Sequence, residues 1–251
     1  MRLDDGALWL TLNRPDVFNA LSAEMAAEIA RLAEEATTRD DVRVLVLTGT
    51  GPAFSTGADI SGGDAHENFD VRALDAANRI IRAIVNLDKP VVAAVNGVAA
   101  GVGCSAALAA DIVVAAESAS FLLAFARIGL MPDGGATATV AASIGRARAM
   151  RMALLAEPLT GREAYAAGLV THLAGDTEFA DVVEKIVRRL VSGPPLAFAA
   201  SKKAINAATL DQLEGALERE RVGQSLLLRT TDVAEGMRAF GERRRPTFRG
   251  E

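Results

Sequence analysis

The stretch Pro90-Val-Val-Ala-Ala-Val-Asn-Gly-Val-Ala-Ala-Gly-Val-Gly-Cys-Ser-Ala-Ala-Leu108 decides the fold of this chain. Five apolar residues run from Val91 to Val95 and lead directly into Asn96-Gly97. A short apolar run that is closed by a turn predicts a buried strand. The glycines beyond it indicate a tight loop, followed by a helix that opens near Gly103. The free N–H groups at such a helix start suit a developing negative charge.

The composition indicates a globular protein that acts on a small molecule. Of 251 residues, 50% are hydrophobic and 24% charged, and the formal net charge is −5. This balance argues against nucleic acid or an acidic membrane as a partner. The single cysteine, Cys104, excludes an internal disulfide, favours a reducing compartment and is expected in the core. No apolar run reaches the roughly 18 residues of a membrane span, and the charged start is unlike a signal peptide, so we expect a cytoplasmic protein.

The rest of the chain repeats the same order of parts. Hydrophobic patterning predicts strands at 6–12, 42–47, 111–115 and 120–123, and helices at 22–35, 71–85, 136–142, 145–155 and 160–168. Each buried strand leads into a glycine-containing loop, and such repetition predicts a spiral sheet whose loops meet at one edge. From Glu178 onward the chain is almost wholly helical. The break at Ser192-Gly-Pro-Pro195 divides a sheet-bearing domain, 1–192, from a helical C-terminal region, 193–251.

The first glycine loop of the chain is Phe54 to Ile60, and the second follows the strand 91–95. A dinucleotide-binding pattern lies in the second glycine loop. Gly101-Val-Gly-Cys-Ser-Ala106 follows a strand and satisfies that pattern with alanine in its third place. The pattern usually follows the first strand of its domain, with an acidic residue about 20 positions later. Here two predicted strands precede it and Glu117 comes too early, so the case for a nicotinamide cofactor is weak.

Four stretches carry a stronger resemblance. They are Asn13-Arg-Pro-Asp-Val-Phe-Asn-Ala-Leu21, Phe54-Ser-Thr-Gly-Ala-Asp-Ile60, Ala99-Ala-Gly-Val-Gly-Cys-Ser105 and Gly236-Met-Arg-Ala-Phe-Gly-Glu-Arg-Arg-Arg-Pro-Thr-Phe-Arg-Gly250. Together they resemble the crotonase family, also called the enoyl-CoA hydratase and isomerase family, nearly from end to end. The resemblance implies an α/β fold, a crotonase-like spiral of repeated ββα units with a helical C-terminal oligomerisation region. It also implies a homotrimer or a hexamer built as a dimer of trimers.

The resemblance further implies an acyl-CoA substrate and the residues that hold its coenzyme A part. These are Arg14, Phe18 and Ala20 from the first stretch, Asp59 and Ile60 from the second, and Phe248 and Arg249 from the tail. Phe248 and Arg249 would meet adenine and phosphates, often those bound by a neighbouring subunit. No prosthetic group is implied. No cluster of His, Cys and acidic residues has metal-ligand spacing, so we expect no metal.

The first two glycine loops could supply the hydrogen-bond donors that acyl-CoA reactions require. Proton removal beside a thioester carbonyl gives an enolate, whose oxygen needs two preorganised donors. By resemblance these donors are the backbone N–H groups of Ala58 and Val102. Most relatives carry glycine where this chain has Val102, and its branched side chain would narrow the acyl pocket. Alternatively, the loops are tight turns that need glycine for a positive φ.

The residue that moves the proton is expected in a third glycine loop, Phe125 to Gly135, which we call the third loop. The resemblance places the two glutamates of the family's hydratases at Ser105 and Phe125, and neither can transfer a proton as a carboxylate does. Ile128-Gly-Leu-Met-Pro-Asp133-Gly-Gly resembles the segment in which isomerase members carry a catalytic aspartate. Asp133 could remove a proton from carbon 2 and return it to carbon 4, with its pKa raised by apolar neighbours. Alternatively, Asp133 is a helix N-cap.

We therefore interpret the sequence as an enoyl-CoA isomerase that uses Asp133 as its base. A hydratase that positions water by another route, with Asp133 and Ser105, is one alternative. An acyl-CoA-binding protein that has lost catalysis is another. Dehalogenation by an aspartate nucleophile is disfavoured because it usually recruits His and Trp partners, and His66, His172 and Trp9 all lie outside the third loop. His66 is expected in a solvated loop.

Overall fold

The computed structural model describes residues 1–60 and 70–251, so the prediction for His66 falls outside the described residues. The strands are β1 (Arg2–Asp4), β2 (Ala7–Leu12), β3 (Val44–Gly49), β4 (Ala53–Ser55), β5 (Val91–Val95), β6 (Val98–Ala100), β7 (Ile112–Ala116), β8 (Ser120–Leu122), β9 (Leu159–Thr160) and β10 (His172–Ala174). The α-helices of the described ranges are α1 (Ala23–Ala36), α2 (Val71–Asn86), α3 (Gly101–Leu108), α4 (Ala136–Leu155), α5 (Gly161–Ala167), α6 (Phe179–Val191), α7 (Pro195–Thr209), α8 (Leu213–Leu227) and α9 (Thr231–Gly241).

Two sheets alternate along the chain. The six-stranded sheet has the order β1-β2-β3-β5-β7-β10 and is parallel except for the β1-β2 pair. The four-stranded sheet has the order β4-β6-β8-β9 and is parallel except for β8-β9. Strands β3, β5 and β7 each pass directly into the other sheet through β4, β6 and β8. The predicted spiral of ββα repeats is thereby confirmed.

The apolar runs in the sequence reflect a sheet that is covered on both faces. In β3, Val44 and Val46 belong to a cluster with Val183 and Val187 of α6, whereas Leu45 lies in the main core. Successive strand residues point to opposite faces, so a strand with helices on both sides needs apolar residues at every position. This is why β3, β5 and β7 show no apolar and polar alternation.

Several helix boundaries follow their predicted signals. Ser22 caps α1 by accepting the N–H of Met25 at 3.2 Å. Thr160 forms a capping box with Glu163 at the start of α5. Gly145 has φ +77° inside α4, which marks the predicted break between two helical segments. These signals are local, and most observed ends lie within two residues of the predicted ones.

The start of α3 lies close to its predicted place. The helix begins at Gly101, two residues before Gly103. A Cβ atom at Gly103 would lie 2.7 Å from the main-chain oxygen of Ser55. Gly103 therefore permits close packing of α3 on β4 rather than approach to a ligand. Cys104, next along the helix, is fully buried as predicted, and burial raises its thiol pKa to about 12.

The C-terminal helices form a region that packs back on the sheet-bearing part. Helix α8 contacts both α2 and α4, and α9 contacts the turn of 3-10 helix at Ala124–Ile128. Apolar side chains nonetheless remain exposed on this region, among them Leu196, Ile205 and Leu226. Within residues 1–60 and 70–251, no helix combines the length and apolarity needed to cross a membrane.

Candidate functional site

The first glycine loop is fixed to the N-terminal motif by a short parallel bridge. Leu21 donates its N–H to the oxygen of Gly57 at 2.7 Å, and Asp59 donates its N–H to the oxygen of Leu21 at 3.1 Å. The N–H of Ala58 lies between these two bonds and takes no part in the bridge. In an extended segment, neighbouring N–H groups point to opposite sides, so that of Ala58 points away from Leu21.

The second glycine loop closes against the first. Gly57 has φ +93°, and a Cβ atom there would lie 3.2 Å from the nitrogen of Val102. Gly101 has φ +52°, and Val102 is the second residue of α3, where an N–H has no intrahelical acceptor. The loops are thus tight turns that need glycine, as the alternative interpretation held. They also bring the residues of the two predicted oxyanion donors together.

A cavity of about 470 Å³ opens beside these two amides. The described residues that line it are mainly small and apolar: Leu21, Ser22, Ala23, Ala26, Ala58, Asp59, Asp70, Arg72, Ala73, Ala76, Ala77, Ile80 and Val102. Its polar side chains lie on Ser22, Asp59, Asp70 and Arg72. An apolar pocket with a few polar groups is typical of a small-molecule site. Val102 is one of the lining residues, and the prediction that its branched side chain narrows an acyl pocket remains a prediction.

The N-terminal motif contributes an ion pair to the same region. Arg14 contacts Asp59 at 2.8 Å and donates to the oxygen of Ala20 at 2.7 Å. The buried Asn19, which we had given no role, accepts the N–H of Arg14 and donates to the oxygen of Ala53. Phe18 adopts φ +52° and is half exposed. The structure therefore groups Arg14, Ala20 and Asp59 at the edge of the cavity.

Of the predicted coenzyme A contacts, Asp59 lines this cavity, whereas its lining does not include Arg14, Phe18, Ala20, Ile60, Phe248 or Arg249. Ile60 is partly buried against the core. Phe248 is 42% exposed, and Arg249 donates its backbone N–H to Asp232 Oδ1 at 2.7 Å. The tail is thereby held on α9 of its own chain, with the side chains of Phe248 and Arg249 outside the cavity lining. Their contact with coenzyme A remains a prediction.

Asp133 lies in the third loop as a buried carboxyl group, with only 5% of the residue exposed. Its Oδ2 accepts a hydrogen bond from Gln224 Nε2 at 2.9 Å. Its Oδ1 has no hydrogen-bond partner among the described residues. Helix α4 starts after Gly135, which has no side chain to cap it. Asp133 is therefore not the N-cap that the alternative interpretation proposed.

The surroundings of Asp133 bring the pKa of its carboxyl group close to 7. Burial raises the pKa of Asp133 from 3.8 to about 7. The hydrogen bond from Gln224 opposes this rise, and the nearby negative charge of Glu220 adds to it. A group that titrates near neutral pH can both accept and return a proton.

The third loop lies against the start of α3. A Cβ atom on Gly134 would lie 3.0 Å from Ser105 Cβ and 3.4 Å from Val102 Cγ2. Ser105 Oγ donates to the main-chain oxygen of Asp133 at 2.7 Å. The hydroxyl hydrogen of Ser105 is thus engaged in holding the loop, and Phe125 is buried in the core. Neither residue offers the carboxylate that the hydratase pattern requires there.

Two further polar residues at the site, Glu220 and Gln224, were missed by the sequence reasoning. Both are buried on α8, one turn apart, and both bind the loop that carries Asp133. The sequence of α8 does contain a signal for these two residues. They interrupt the buried face of α8, which otherwise consists of Leu213, Ala216 and Leu217. Buried polar groups on an apolar helix face need partners, so their placement indicates contact with another polar element.

A second cavity of about 470 Å³ lies elsewhere, between α7 and the start of β7. It contains the ion pair of Lys202 Nζ and Asp111 Oδ2, 2.9 Å apart. Burial lowers the pKa of Lys202 and raises that of Asp111. None of the predicted site residues lines this cavity. No group of three or more His, Cys, Asp or Glu that could hold a metal occurs within the described ranges.

Comparison with known proteins agrees with this geometry. The family described as enoyl-CoA hydratase/isomerase matches residues 3–251. A "1,2-epoxyphenylacetyl-CoA isomerase" of Escherichia coli K12 is 37% identical over 99% of this chain and 97% of its own. A "Probable enoyl-CoA hydratase" of Rhodobacter capsulatus is 42% identical over 99% and 96%.

A solved structure gives the same result for the fold. The crystal structure titled as an enoyl-CoA hydratase from Mycobacterium avium subsp. paratuberculosis K-10 superposes with a TM-score of 0.93 at 50% identity. The match covers 99% of this chain and 97% of that one. The chain therefore belongs to the enoyl-CoA hydratase/isomerase family, the crotonase family.

Proposed function

We propose that this protein is an enoyl-CoA isomerase that shifts a carbon-carbon double bond from the 3 to the 2 position of an acyl-CoA. The observation that carries this proposal is the buried carboxyl group of Asp133, whose Oδ1 is unpartnered among the described residues, in a loop that lies against Val102 and Ser105. The relative of Escherichia coli is also named as an isomerase of an acyl-CoA, although its named substrate is an epoxide.

The proposed reaction needs one base and two donors. Asp133 removes a proton from carbon 2, and the electron pair of that C–H bond enters a dienolate. The N–H groups of Ala58 and Val102 donate to the thioester oxygen, where the negative charge collects. Asp133 then returns the proton to carbon 4, which places the double bond between carbons 2 and 3. No water enters the balance.

Coenzyme A is part of the substrate in this proposal. Arg14, Phe18, Ala20, Asp59 and Ile60 would hold it beside the cavity, where Arg14 forms an ion pair with the lining residue Asp59. Phe248 and Arg249 would reach its adenine and phosphates from the tail, whose backbone is held by Asp232.

A trimer, or a dimer of trimers, is proposed as the assembly. The single chain leaves Leu196 85% exposed, together with Ile205 and Leu226, on helices after residue 192. Exposed apolar side chains on the helical C-terminal region would be buried by contacts between subunits. We place the helical oligomerisation region at 193–251 and the acyl-CoA-binding domain at 1–192, in a cytoplasmic enzyme.

The decisive experiment measures conversion of a 3-enoyl-CoA by the growth in absorbance of the conjugated product. Asp133→Asn keeps the size of the side chain but removes the base, so we expect its kcat to fall by about 100-fold or more. Asp211→Asn, a change at an exposed aspartate, serves as the matched control. Equal rates for wild type and Asp133→Asn would reject the proposal.

Hydration is the second candidate, because the Rhodobacter relative and the Mycobacterium structure are named as hydratases. A hydratase would lower the absorbance of a trans-2-enoyl-CoA in water without any 3-enoyl product. An acyl-CoA-binding protein would instead bind members of a substrate panel tightly and turn none of them over.

A further inference from the structure

We infer that Gln224 is a positioning residue that makes Oδ1 the oxygen of Asp133 that takes and returns the substrate proton. We also infer that Glu220 holds the loop that carries Asp133. Both inferences rest on the proposed role of Asp133 as the base. They assign a part in the reaction to α8, a helix of the C-terminal region.

The amide of Gln224 has a single workable orientation. Its Oε1 accepts the N–H of Met131 at 3.1 Å, while its Nε2 donates to Asp133 Oδ2 at 2.9 Å. Exchange of the two amide atoms would set the Nε2 group against the N–H of Met131, donor against donor. Gln224 is fully buried, so no solvent could relieve that contact.

This orientation decides which oxygen of Asp133 carries the proton. Nε2 of Gln224 can only donate, so Oδ2 must accept and cannot carry a hydrogen toward Gln224. The neutral acid therefore keeps its hydrogen on Oδ1, which has no partner in the part of the chain that the structure describes. During the shift, the C–H bond at carbon 2 breaks as the Oδ1–H bond forms. That bond then breaks as the C–H bond at carbon 4 forms.

Glu220 holds the other side of the same loop. Its Oε2 accepts the N–H of Gly135 at 2.7 Å, and its Oε1 accepts the N–H of Thr137 at 3.0 Å. These N–H groups begin α4, whose N-cap lacks a side chain, so Glu220 supplies the cap from 85 residues away along the chain. Gln224 binds Met131 on one side of Asp133, and Glu220 binds Gly135 on the other. The two side chains thereby fix the loop on both sides of Asp133.

The two residues also act on the proton affinity of Asp133 in opposite directions. The hydrogen bond from Gln224 lowers the pKa of Asp133, whereas the negative charge of Glu220 raises it. Glu220 is the charged group that acts on Asp133 in this part of the chain. Burial raises the pKa of Glu220, whereas its hydrogen bonds with Thr137 and Gly135 and the charge of Arg219 oppose that rise. Removal of either partner should therefore shift the titration of Asp133 in a known direction.

The test compares Gln224→Met, which has a similar shape but no donor, with Glu220→Gln, which loses the charge. For each, we would measure the acid limb of kcat/KM against pH with a 3-enoyl-CoA. The pKa of the Asp133 carboxyl would also be read from its infrared band, by subtraction of the Asp133→Asn spectrum. Gln212→Met, at an exposed glutamine that precedes α8, is the matched control.

We expect Gln224→Met to raise the midpoint of both titrations by about one pH unit, the scale of a hydrogen bond to a charged group. Glu220→Gln should lower both midpoints. We expect kcat to fall more than KM rises in Gln224→Met, because the substrate pocket is untouched. A change that only loosened the fold would not raise the midpoints in one variant and lower them in the other.

Unchanged midpoints in a folded Gln224→Met variant would overturn the inference. If that variant does not fold, Gln224→Asn withdraws the donor by one methylene and should raise the midpoint in the same direction, and no rise would again overturn it. Failure of the proposed function is a separate result. In that case Asp133→Asn stays active, while the infrared titration still decides whether Gln224 controls the proton of Asp133.

Discussion

Replacement of Asp133 by asparagine should stabilise the folded protein increasingly as the pH rises. The pKa of Asp133 is raised from 3.8 to about 7 in the folded state, mainly by burial. Below both pKa values the carboxyl group is neutral in the folded and the unfolded state, so it does not lower the unfolding free energy. As the pH rises from about 4 to about 7, the unfolded chain releases the proton while the folded chain retains it, so stability falls. Above about 7 the loss is constant.

The magnitude follows from the shift. At about 1.4 kcal/mol per pKa unit, a rise from 3.8 to about 7 corresponds to a loss of at most about 4 kcal/mol at alkaline pH. Roughly 2 to 3 kcal/mol of this loss should develop between about pH 5 and pH 8. Asp133→Asn has no such group, so the difference in unfolding free energy between variant and wild type should grow by that amount.

The assay is urea unfolding followed by far-ultraviolet circular dichroism at a series of pH values and one protein concentration. Titrating groups that do not interact with Asp133 cancel, because the two proteins differ at one residue, and the interaction of Glu220 with Asp133 is part of the difference that is read. A constant offset from the new amide also cancels, since only the change with pH is read. The exposed Asp211→Asn change should give a curve parallel to wild type. Parallel curves for wild type and Asp133→Asn would refute the assignment of a buried, proton-retaining carboxyl.

Three further predictions concern the fold and its assembly. Lys202→Met leaves Asp111 buried without its cation and should lower the unfolding free energy by about 3 to 5 kcal/mol in urea titrations, a loss that Asp111→Asn should partly restore. Gly103→Ala forces a methyl group to within 2.7 Å of Ser55 and should cost about 1 to 3 kcal/mol or more, whereas Gly241→Ala, with nothing within 4 Å, should be near neutral in the same assay. Light scattering should give three or six times the chain mass of 26.2 kDa, and a monomer would contradict the proposed assembly.

The repeated architecture could be predicted because its signals are local. The apolar run Val91–Val95 forms a central strand covered on both faces. Ser22 and Thr160 cap helices where a polar side chain precedes an apolar pattern, and Gly145 breaks α4. Each signal lies within a few residues of the feature that it specifies, so no knowledge of tertiary contacts was required.

The support of Asp133 could not be predicted in the same way. Gln224 lies 91 residues from Asp133, and Glu220 lies 85 residues from Gly135. The sequence does show two polar residues on an apolar helix face. It does not show which loop that face meets, because this depends on how α8 packs against α2 and α4. The close contact of Gly103 with β4 could not be predicted for a related reason, since it joins residues that are far apart in the sequence.

The two departures from the hydratase pattern both lie next to the loop of Asp133 or in the hydrophobic core. Ser105, where the resemblance places one glutamate, uses its hydroxyl to fix the main chain of Asp133 at 2.7 Å. Phe125, at the place of the other, is buried and carries no charge. A carboxylate at either position would add negative charge and polar surface that could hold a water molecule. With serine and phenylalanine there, the third loop presents one buried acid on a fixed backbone, and the proposed transfer of a proton between two carbons depends on that acid alone.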